Sequence, residues 1–138
     1  MIPKIKLDTE SIRYIGLFET LSGAHVKDCI INDGSITFVV EEGHAGIAIG
    51  RNGYNIQQLQ KILSKKIEII EYSKDPIKFI TNLFRPAKMK NIYISEKSDG
   101  EKVIHVQPIT DRGLVRSKLK KAKEFLLRYY GIDKIIMH

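Results

Sequence analysis

Gly50-Arg51-Asn52-Gly53 is the stretch of this sequence whose residue types and spacing could do chemistry. The two glycines tolerate backbone angles that a β-carbon would forbid, and they leave the main chain bare. A phosphodiester backbone could therefore come close and meet the amide donors at the start of the following helix, where the helix dipole favours anions. Arg51 adds a cation, and Asn52 adds an amide for phosphate or ribose oxygens. The pattern predicts a contact with a phosphate backbone.

Apolar residues flank this loop on both sides. Gly46 and Ile47 lie in the segment before it, Ile49 directly precedes its first glycine, and Ile56 follows it. We expect the three isoleucines to form an apolar floor for splayed bases, which suits single strands whose base edges are free. A G-x-x-G sequence is also common as a plain connector between two helices, which is the alternative interpretation. Asn55, Gln57 and Gln58 either touch bases or belong to a solvated helix face.

Periodicity predicts the elements that position the loop. Residues 8–22 predict a helix with Asp8 or Thr9 as its N-cap and Gly23 just beyond its end. Its apolar residues at helical spacing are Ile12, Ile15, Leu17, Phe18 and Leu21. Asn32-Asp33-Gly34, between two β-branched runs, predicts a hairpin.

The loop itself lies between two predicted helices. Residues 44–49 predict a short helix before it, and residues 54–66 predict an amphipathic helix after it. The amphipathic helix has one predicted apolar face, formed by Ile56, Leu59, Ile62 and Leu63. Residues 67–72 then predict a short strand. The predicted order of elements is αββααβ.

The same order of elements begins again at residue 75. Asp75 caps a predicted helix with Pro76 at its first position, and two predicted strands, 90–95 and 102–107, surround the turn at Ser98-Asp99-Gly100. A basic helix ending at Gly131 and a last strand follow. The predicted inward residues of this basic helix are Leu119, Ala122, Phe125 and Leu126, which match the apolar face of the first copy at a constant sequence offset.

The second copy differs from the first by a deletion of four residues. Gly46-Ile47-Ala48 aligns with Gly113-Leu114-Val115 at a larger offset than the helix that follows, so the deletion falls where the first copy has its glycine loop. The sequence therefore predicts an α+β chain of two αββααβ units, residues 1–73 and 74–138, each a three-stranded sheet with helices on one face. The second unit is expected to lack the loop.

The excess positive charge lies entirely in the C-terminal part. Residues 1–84 carry 10 Lys and Arg against 10 Asp and Glu, whereas residues 85–138 carry 13 against 6. A basic face of this kind is typical of proteins that bind a polyanion, and nucleic acid is the most common one. A solvated face on a lysine-rich surface helix and an acidic protein partner are the alternatives. The candidate RNA-binding residues in this region are Arg112, Arg116, Lys118, Lys120, Lys121 and Lys123.

"AGIAIGRNGYNIQQLQKIL", residues 45–63, resembles the K-homology motif, and the αββααβ order is similar to the type II form of that fold. Two such units in tandem resemble the archaeal NusA-like transcription termination and elongation factors over essentially the whole chain. The resemblance implies binding to nascent single-stranded RNA near RNA polymerase. It implies that residues 50–53 clamp the RNA backbone and that Gly46, Ile47, Ile49 and Ile56 line the base groove.

Other classes of function find little support in the sequence. The histidines are scattered, and no Cys and His spacing is typical of a zinc site, so we expect no metal, no cofactor and no enzymatic activity. Cys29 is the single cysteine, and the chain has no run of about 18 apolar residues and no signal-peptide core in residues 1–11, which together indicate a cytoplasmic protein. We expect a monomer. A ribosome-associated or RNA-processing protein remains an alternative, as does a protein-interaction module that uses the basic helix.

Overall fold

The computed structural model describes residues 8–138, so residues 1–7 of the predicted first unit lie outside the described residues. Among the described residues, 8–73 form one compact unit and 74–138 form another. The first unit contains α1 (Thr9–Ser22), β1 (Val26–Asn32), β2 (Ser35–Val40), α2 (Ala45–Ile49), a 3₁₀ turn (Arg51–Gly53), α3 (Tyr54–Leu63) and β3 (Lys66–Glu71). The second unit contains α4 (Pro76–Phe84), β4 (Met89–Glu96), β5 (Lys102–Pro108), α5 (Arg112–Tyr130) and β6 (Lys134–Met137).

Each unit has a three-stranded sheet with the same topology. The middle strand, β2 or β5, pairs antiparallel with the strand before it and parallel with the strand after it. The antiparallel pairs are joined by the predicted hairpins, whose glycines Gly34 and Gly100 have φ of +76° and +87°. A parallel pair needs a longer crossover, and helices supply it in both units. The predicted α+β fold with two three-stranded sheets is thereby confirmed.

α1 packs on the sheet of the first unit through one row of residues. Asp8, one of the two residues predicted as possible N-caps, is the N-cap and accepts a hydrogen bond from the Ser11 amide at 2.7 Å. Tyr14 and Phe18, four positions apart, are buried, and the Phe18 ring lies 4.6 Å from that of Phe38 on β2. Ile12 is exposed, although its spacing matches that of the other apolar residues of this helix. Tyr14 and Phe18 determine the inward direction, and Ile12 projects away from their row.

The helices around the glycine loop bury a narrow stripe. Ala48 of α2 and Leu59 of α3 are completely buried, and Ile56 and Leu63 pack half-buried against the same core. Ile62, which was predicted on the same face, is 56% exposed. The stripe is centred on Leu59 with its neighbours three positions before and four after, and Ile62 lies beyond its edge.

The second unit differs from its predicted order in one element. One continuous helix, α5, stands where the repeat predicted two, so this unit is αββαβ. The physical reason is the four-residue deletion, because without glycines at positive φ nothing interrupts the backbone hydrogen bonds between the two segments. The helix ends at Gly131 with φ of +70°, and Asp75 caps α4 through a 3.0 Å bond from the Ile77 amide, both as predicted.

The core of the second unit forms between α4, α5 and the sheet. Val115, Ala122, Phe125 and Leu126 of α5 are buried, as are Ile104 and Val106 of β5. The Phe79 ring of α4 meets the Phe125 ring edge to face at 5.7 Å and the Tyr129 ring at 5.5 Å. Such aromatic pairs fix how two helices pack. Leu119 is half-buried, at the margin of this core.

Candidate nucleic-acid interface

The glycine loop reverses the chain within four residues through positive-φ backbone. Gly50 has φ of 79° and ψ of 168°, Asn52 has φ of 54° and ψ of 29°, and Gly53 has φ of 75° and ψ of 15°. Asparagine is one of the few L-residues that adopt the left-handed region readily. The Gly53 amide donates a hydrogen bond to the Gly50 carbonyl at 3.1 Å, which closes the turn. The loop is therefore a defined structure in which the residue types suit the backbone.

The two glycines of the loop are not equivalent. A β-carbon on Gly50 would lie 2.8 Å from both the backbone nitrogen and the Cγ of Asn55. A β-carbon on Gly53 would come no closer than 3.7 Å, to Nε2 of Gln57. Position 50 requires glycine both for its conformation and for the close approach of α3, whereas position 53 has room for a side chain.

Asn55 joins the two helices that flank the loop. Its side-chain Nδ2 donates a hydrogen bond to the Ile47 carbonyl at 2.9 Å, in the last turn of α2. That carbonyl is one of the orphan acceptors at a helix C-terminus, and the first turn of α3 satisfies it. Neither predicted role of Asn55, contact with bases or a place on a solvated helix face, accounts for this hydrogen bond. Asn55 positions the loop.

Two further residues position α2, and sequence reasoning missed both. The Ala45 amide at the start of α2 donates to Oε1 of Glu71, at the end of β3, over 3.3 Å. Nδ1 of His44 accepts a hydrogen bond from the His25 amide at 2.9 Å. The partners are far apart in sequence, so no local pattern could have paired them. They hold the first helix of the loop against the sheet.

The predicted site residues of the first unit come together at the corner formed by α2, the loop and α3. Ile47 is 49% exposed and Ile49 is 39% exposed, and Gly46, Arg51 and Asn52 are also exposed. Tyr54, at the start of α3, adds an exposed ring. Gly53 is half-buried, and Ile56 is turned partly into the core. The apolar surface beside the loop therefore consists mainly of the two exposed isoleucines.

The six predicted RNA-binding residues of α5 divide into two groups. Lys118 is half-buried, and its Nζ donates to the Leu83 carbonyl at 3.0 Å, at the end of α4. Arg112 is exposed, and its guanidinium donates to the carbonyls of Pro108 at 3.1 Å and His138 at 2.9 Å. These two residues have structural partners in the fold.

The other four predicted RNA-binding residues of α5 face solvent to different degrees. Arg116, Lys120 and Lys123 are exposed, whereas Lys121 is half-buried. The spacing of the three exposed residues, i, i+4 and i+7, puts them on one side of the helix, and we refer to them as the basic stripe.

The described residues were also compared with what a reactive thiol, a metal site and a membrane-spanning helix require. Cys29 is buried in β1, and burial, followed by the neighbouring Asp28 carboxylate, raises the pKa of its thiol to about 12. Within residues 8–138, no group of three or more His, Cys, Asp or Glu side chains is placed to hold a metal ion. None of the helices in that part of the chain has the length and apolar character needed to cross a bilayer.

Known proteins resemble this chain in sequence and in fold. The KH domain family matches residues 12–107, which include the loop and the flanking helices. Over 136 residues the chain is 36% identical to the "Probable transcription termination protein NusA" of Methanocaldococcus jannaschii, covering 96% of this chain and 74% of that protein. Over 137 residues it is 37% identical to the protein of the same name from Methanococcus vannielii, covering 96% of this chain and 79% of that protein.

A solved structure and a bacterial protein extend the comparison. The structure "Crystal structure of APE1850" is 32% identical with a TM-score of 0.76, and the match covers 96% of this chain and 100% of that one. The "Transcription termination/antitermination protein NusA" of Bacillus subtilis is 28% identical over 60 residues, which is 43% of this chain and 16% of that protein. The family match, the relatives and the two sheets with a glycine loop agree, and the chain belongs to the archaeal NusA-like family of KH-domain proteins.

Proposed function

We propose that this protein is a single-stranded RNA-binding transcription factor that contacts nascent RNA through the loop of its first unit and so modulates termination and elongation. The observation that carries the proposal is the loop of residues 50–53, with its positive-φ backbone at three positions and exposed isoleucines beside it. The relatives named as probable transcription termination proteins support the process in which it acts.

The loop suits an RNA backbone for three physical reasons. Gly53 is the N-cap of α3 and no side chain caps this helix start, so the amides of its first turn meet no side-chain acceptor there. The helix dipole adds partial positive charge at the same end. Arg51 is exposed at the tip of the loop and provides a full cation. A phosphate in this position would receive backbone donors and a guanidinium together.

The bases would lie beside the loop on the surface of α2. Ile47 and Ile49 present apolar area, and the Tyr54 ring provides a flat face for stacking. Contacts to unpaired bases suit single strands, because the edges of paired bases are occupied. Asn55 and Glu71 hold the helices on either side, so the surface is formed before RNA arrives. A preformed site loses less conformational entropy on binding.

The second unit contributes charge in this proposal. Its crossover is the single helix α5, which has no loop to hold a phosphate in a defined position. The basic stripe of Arg116, Lys120 and Lys123 would contact phosphates as point charges, which extends the footprint without reading sequence. Lys121 lies beside the stripe, and we propose smaller parts for Arg112 and Lys118, whose donors already meet carbonyls.

Several broader features belong to the same proposal. The two functional units correspond to residues 1–73 and 74–138, the protein acts as a monomer without enzymatic activity, and it works in the cytoplasm beside RNA polymerase.

A ribosome-associated or RNA-processing role would use the same loop on another RNA. Affinity purification from cells with and without ribonuclease distinguishes these roles. Co-purification of polymerase subunits would support the transcription role, and co-purification of ribosomal proteins would support the other role. An acidic protein that stays bound after ribonuclease treatment would contradict both.

A conservative charge change at the loop tests the proposal. Asn52→Asp adds a carboxylate where the phosphate would lie, and aspartate adopts the same left-handed backbone as asparagine. Gly50→Asp is unsuitable, because its β-carbon would collide with Asn55. We expect Asn52→Asp to weaken the binding of single-stranded RNA about tenfold, measured by fluorescence anisotropy, since like charges at the surface repel by about 1 kcal/mol or more.

The matched control is Asn32→Asp. Asn32 is an exposed residue at the end of β1, and the substitution makes the same chemical change in the same unit. We expect the control to bind RNA within about twofold of the wild type, since an exposed charge distant from the RNA is largely screened. Equal affinities for Asn52→Asp, Asn32→Asp and the wild type would mean that the loop is a connector.

A further inference from the structure

An aromatic cluster lies on the sheet of the second unit and does not include the basic stripe of α5. It consists of Tyr93 on β4, His105 on β5 and His138 just after β6. Tyr93 and His105 are directly opposite each other in the antiparallel ladder, with ring centroids 4.5 Å apart and planes 7° apart. The His138 ring is 5.0 Å from that of His105 and 6.5 Å from that of Tyr93.

Hydrogen bonds fix the rings of this cluster. Nδ1 of His105 and Nε2 of His138 are 2.8 Å apart and share a hydrogen bond. A bond between two ring nitrogens lies in the ring planes, so the imidazoles meet edge to edge. Nε2 of His105 also shares a 2.7 Å hydrogen bond with Oγ of Ser95. The two imidazoles form an extended flat surface, and the Tyr93 ring is stacked on it.

The cluster remains accessible at the edge of the sheet. β4 is an edge strand, so the Tyr93 ring face that is turned away from His105 points away from the rest of the sheet. Tyr93 is 41% exposed, and His138 is exposed as well. Ile104 and Val106 of β5 are turned into the core, and successive side chains of a strand point to opposite faces, so His105 belongs to the face opposite these two residues.

The strand residues next to the cluster on this face carry no negative charge. Asn91 and Gln107 are directly opposite each other, two residues along each strand from Tyr93 and His105. The strand residues that share the face include no carboxylate, and they are Asn91, Ser95, Val103, Gln107, Lys134 and Ile136. Glu101, in the hairpin turn, lies 3.9 Å from Lys134 Nζ at the rim. A polyanion meets little charge repulsion here.

We infer that the aromatic cluster is a second binding site for single-stranded RNA, in which an unpaired base stacks on Tyr93. The inference rests on the proposed function, since it assumes an RNA-binding protein. Base stacking on an aromatic ring tolerates every base, because each has a π face. The amides of Asn91 and Gln107 are placed to exchange hydrogen bonds with the edge of a stacked base. The fixed rings reduce the ordering cost of binding.

The absence of tryptophan from the sequence makes a direct test available. Tyr93→Trp introduces the only tryptophan, and its fluorescence is quenched when a base stacks on the indole. We expect quenching during titration with an RNA of about 20 nucleotides, long enough for more than one site. Quenching should persist when Asn52→Asp is added, at higher RNA concentrations. A tryptophan signal that stays constant while anisotropy reports binding would overturn the inference.

Affinity measurements give an independent check on Tyr93. We expect Tyr93→Ala to weaken binding of the same RNA about fivefold or more, and Tyr93→Phe to bind as the wild type does, because stacking needs the ring and not the hydroxyl. The slope of log affinity against log salt should not change, since no cation is removed. Wild-type affinity for Tyr93→Ala contradicts the inference alone. If the wild type fails to bind RNA, the proposed function fails as well.

Discussion

At the scale of the residue, the loop shows that two glycines of one motif have different physical tasks. Gly50 adopts φ of 79° and ψ of 168°, a region that is almost restricted to glycine, and the backbone of Asn55 occupies the space of its missing side chain. Gly53 is in the ordinary left-handed region, and a β-carbon there would make only an ordinary van der Waals contact, 3.7 Å from Nε2 of Gln57. The sequence pattern G-x-x-G does not show this difference.

This difference predicts unequal costs of substitution. We expect Gly50→Ala to lower the free energy of unfolding by about 2 kcal/mol or more, from backbone strain and the close approach to Asn55. Gly53→Ala should cost about 1 kcal/mol, the strain of an alanine in the left-handed region. Urea denaturation followed by circular dichroism measures both. Equal losses of stability would mean that the close approach of α3 does not constrain position 50.

At the scale of the element, α5 combines packing and charge on one long helix. Its buried side meets α4 and the sheet, and Lys118 closes the C-terminal end of α4 through the Leu83 carbonyl. A cation at a helix C-terminus satisfies an orphan acceptor and interacts favourably with the dipole. Lys120, two positions further, is exposed. Neighbouring lysines on one helix therefore have different surroundings, since one donates to a carbonyl and the other faces solvent.

The pair Lys118→Met and Lys120→Met separates these roles. We expect Lys118→Met to lower the free energy of unfolding by about 1 kcal/mol, because the Leu83 carbonyl no longer has its side-chain donor. Lys120→Met should leave stability unchanged and weaken RNA binding severalfold, because one phosphate of the RNA is no longer neutralised. Thermal unfolding measures the stability of both variants, and fluorescence anisotropy measures their affinity for RNA. The reverse pattern would place the RNA-binding lysine at position 118.

At the scale of the whole molecule, the two units share a topology and differ in what they offer a ligand. The first has the loop between two helices, and the second has a continuous helix and a net charge of +7 in residues 85–138, from 13 basic and 6 acidic residues. We expect the two units to contribute different terms to the binding free energy. A positioned phosphate contact adds orientation, whereas scattered cations release counterions and make affinity dependent on salt.

Salt dependence therefore reports on the basic stripe. Replacing Arg116, Lys120 and Lys123 with Gln should flatten the slope of log affinity against log salt by about 0.7 for each phosphate that the protein no longer neutralises. The matched control replaces Lys66, Lys74 and Lys88, three exposed lysines elsewhere, with Gln, which removes the same charge. Anisotropy titrations across a salt series measure both slopes. Identical slopes for the two triple variants would show that net charge alone matters.

The sequence by itself determined the features that depend on a few consecutive residues. Asp75 as a helix cap, the two hairpin turns and the absence of the loop from the second unit all follow from local backbone preferences. These preferences act between residues at most four positions apart, so a linear pattern contains them. The confinement of the deletion to residues 50–53 also indicated the repeat, although the fusion of two helices into α5 appeared only in the structure.

The tertiary structure alone decided the contacts between distant residues. The bond from Asn55 to Ile47, the acceptor that Glu71 offers to α2 and the aromatic cluster all depend on strand register and on the path of the crossover. The predicted inward position of Ile62 is wrong for the same reason, because which apolar side chain faces the core depends on where the helix packs. Periodicity restricts the inward side of a helix to a range of directions, and packing against the sheet selects one.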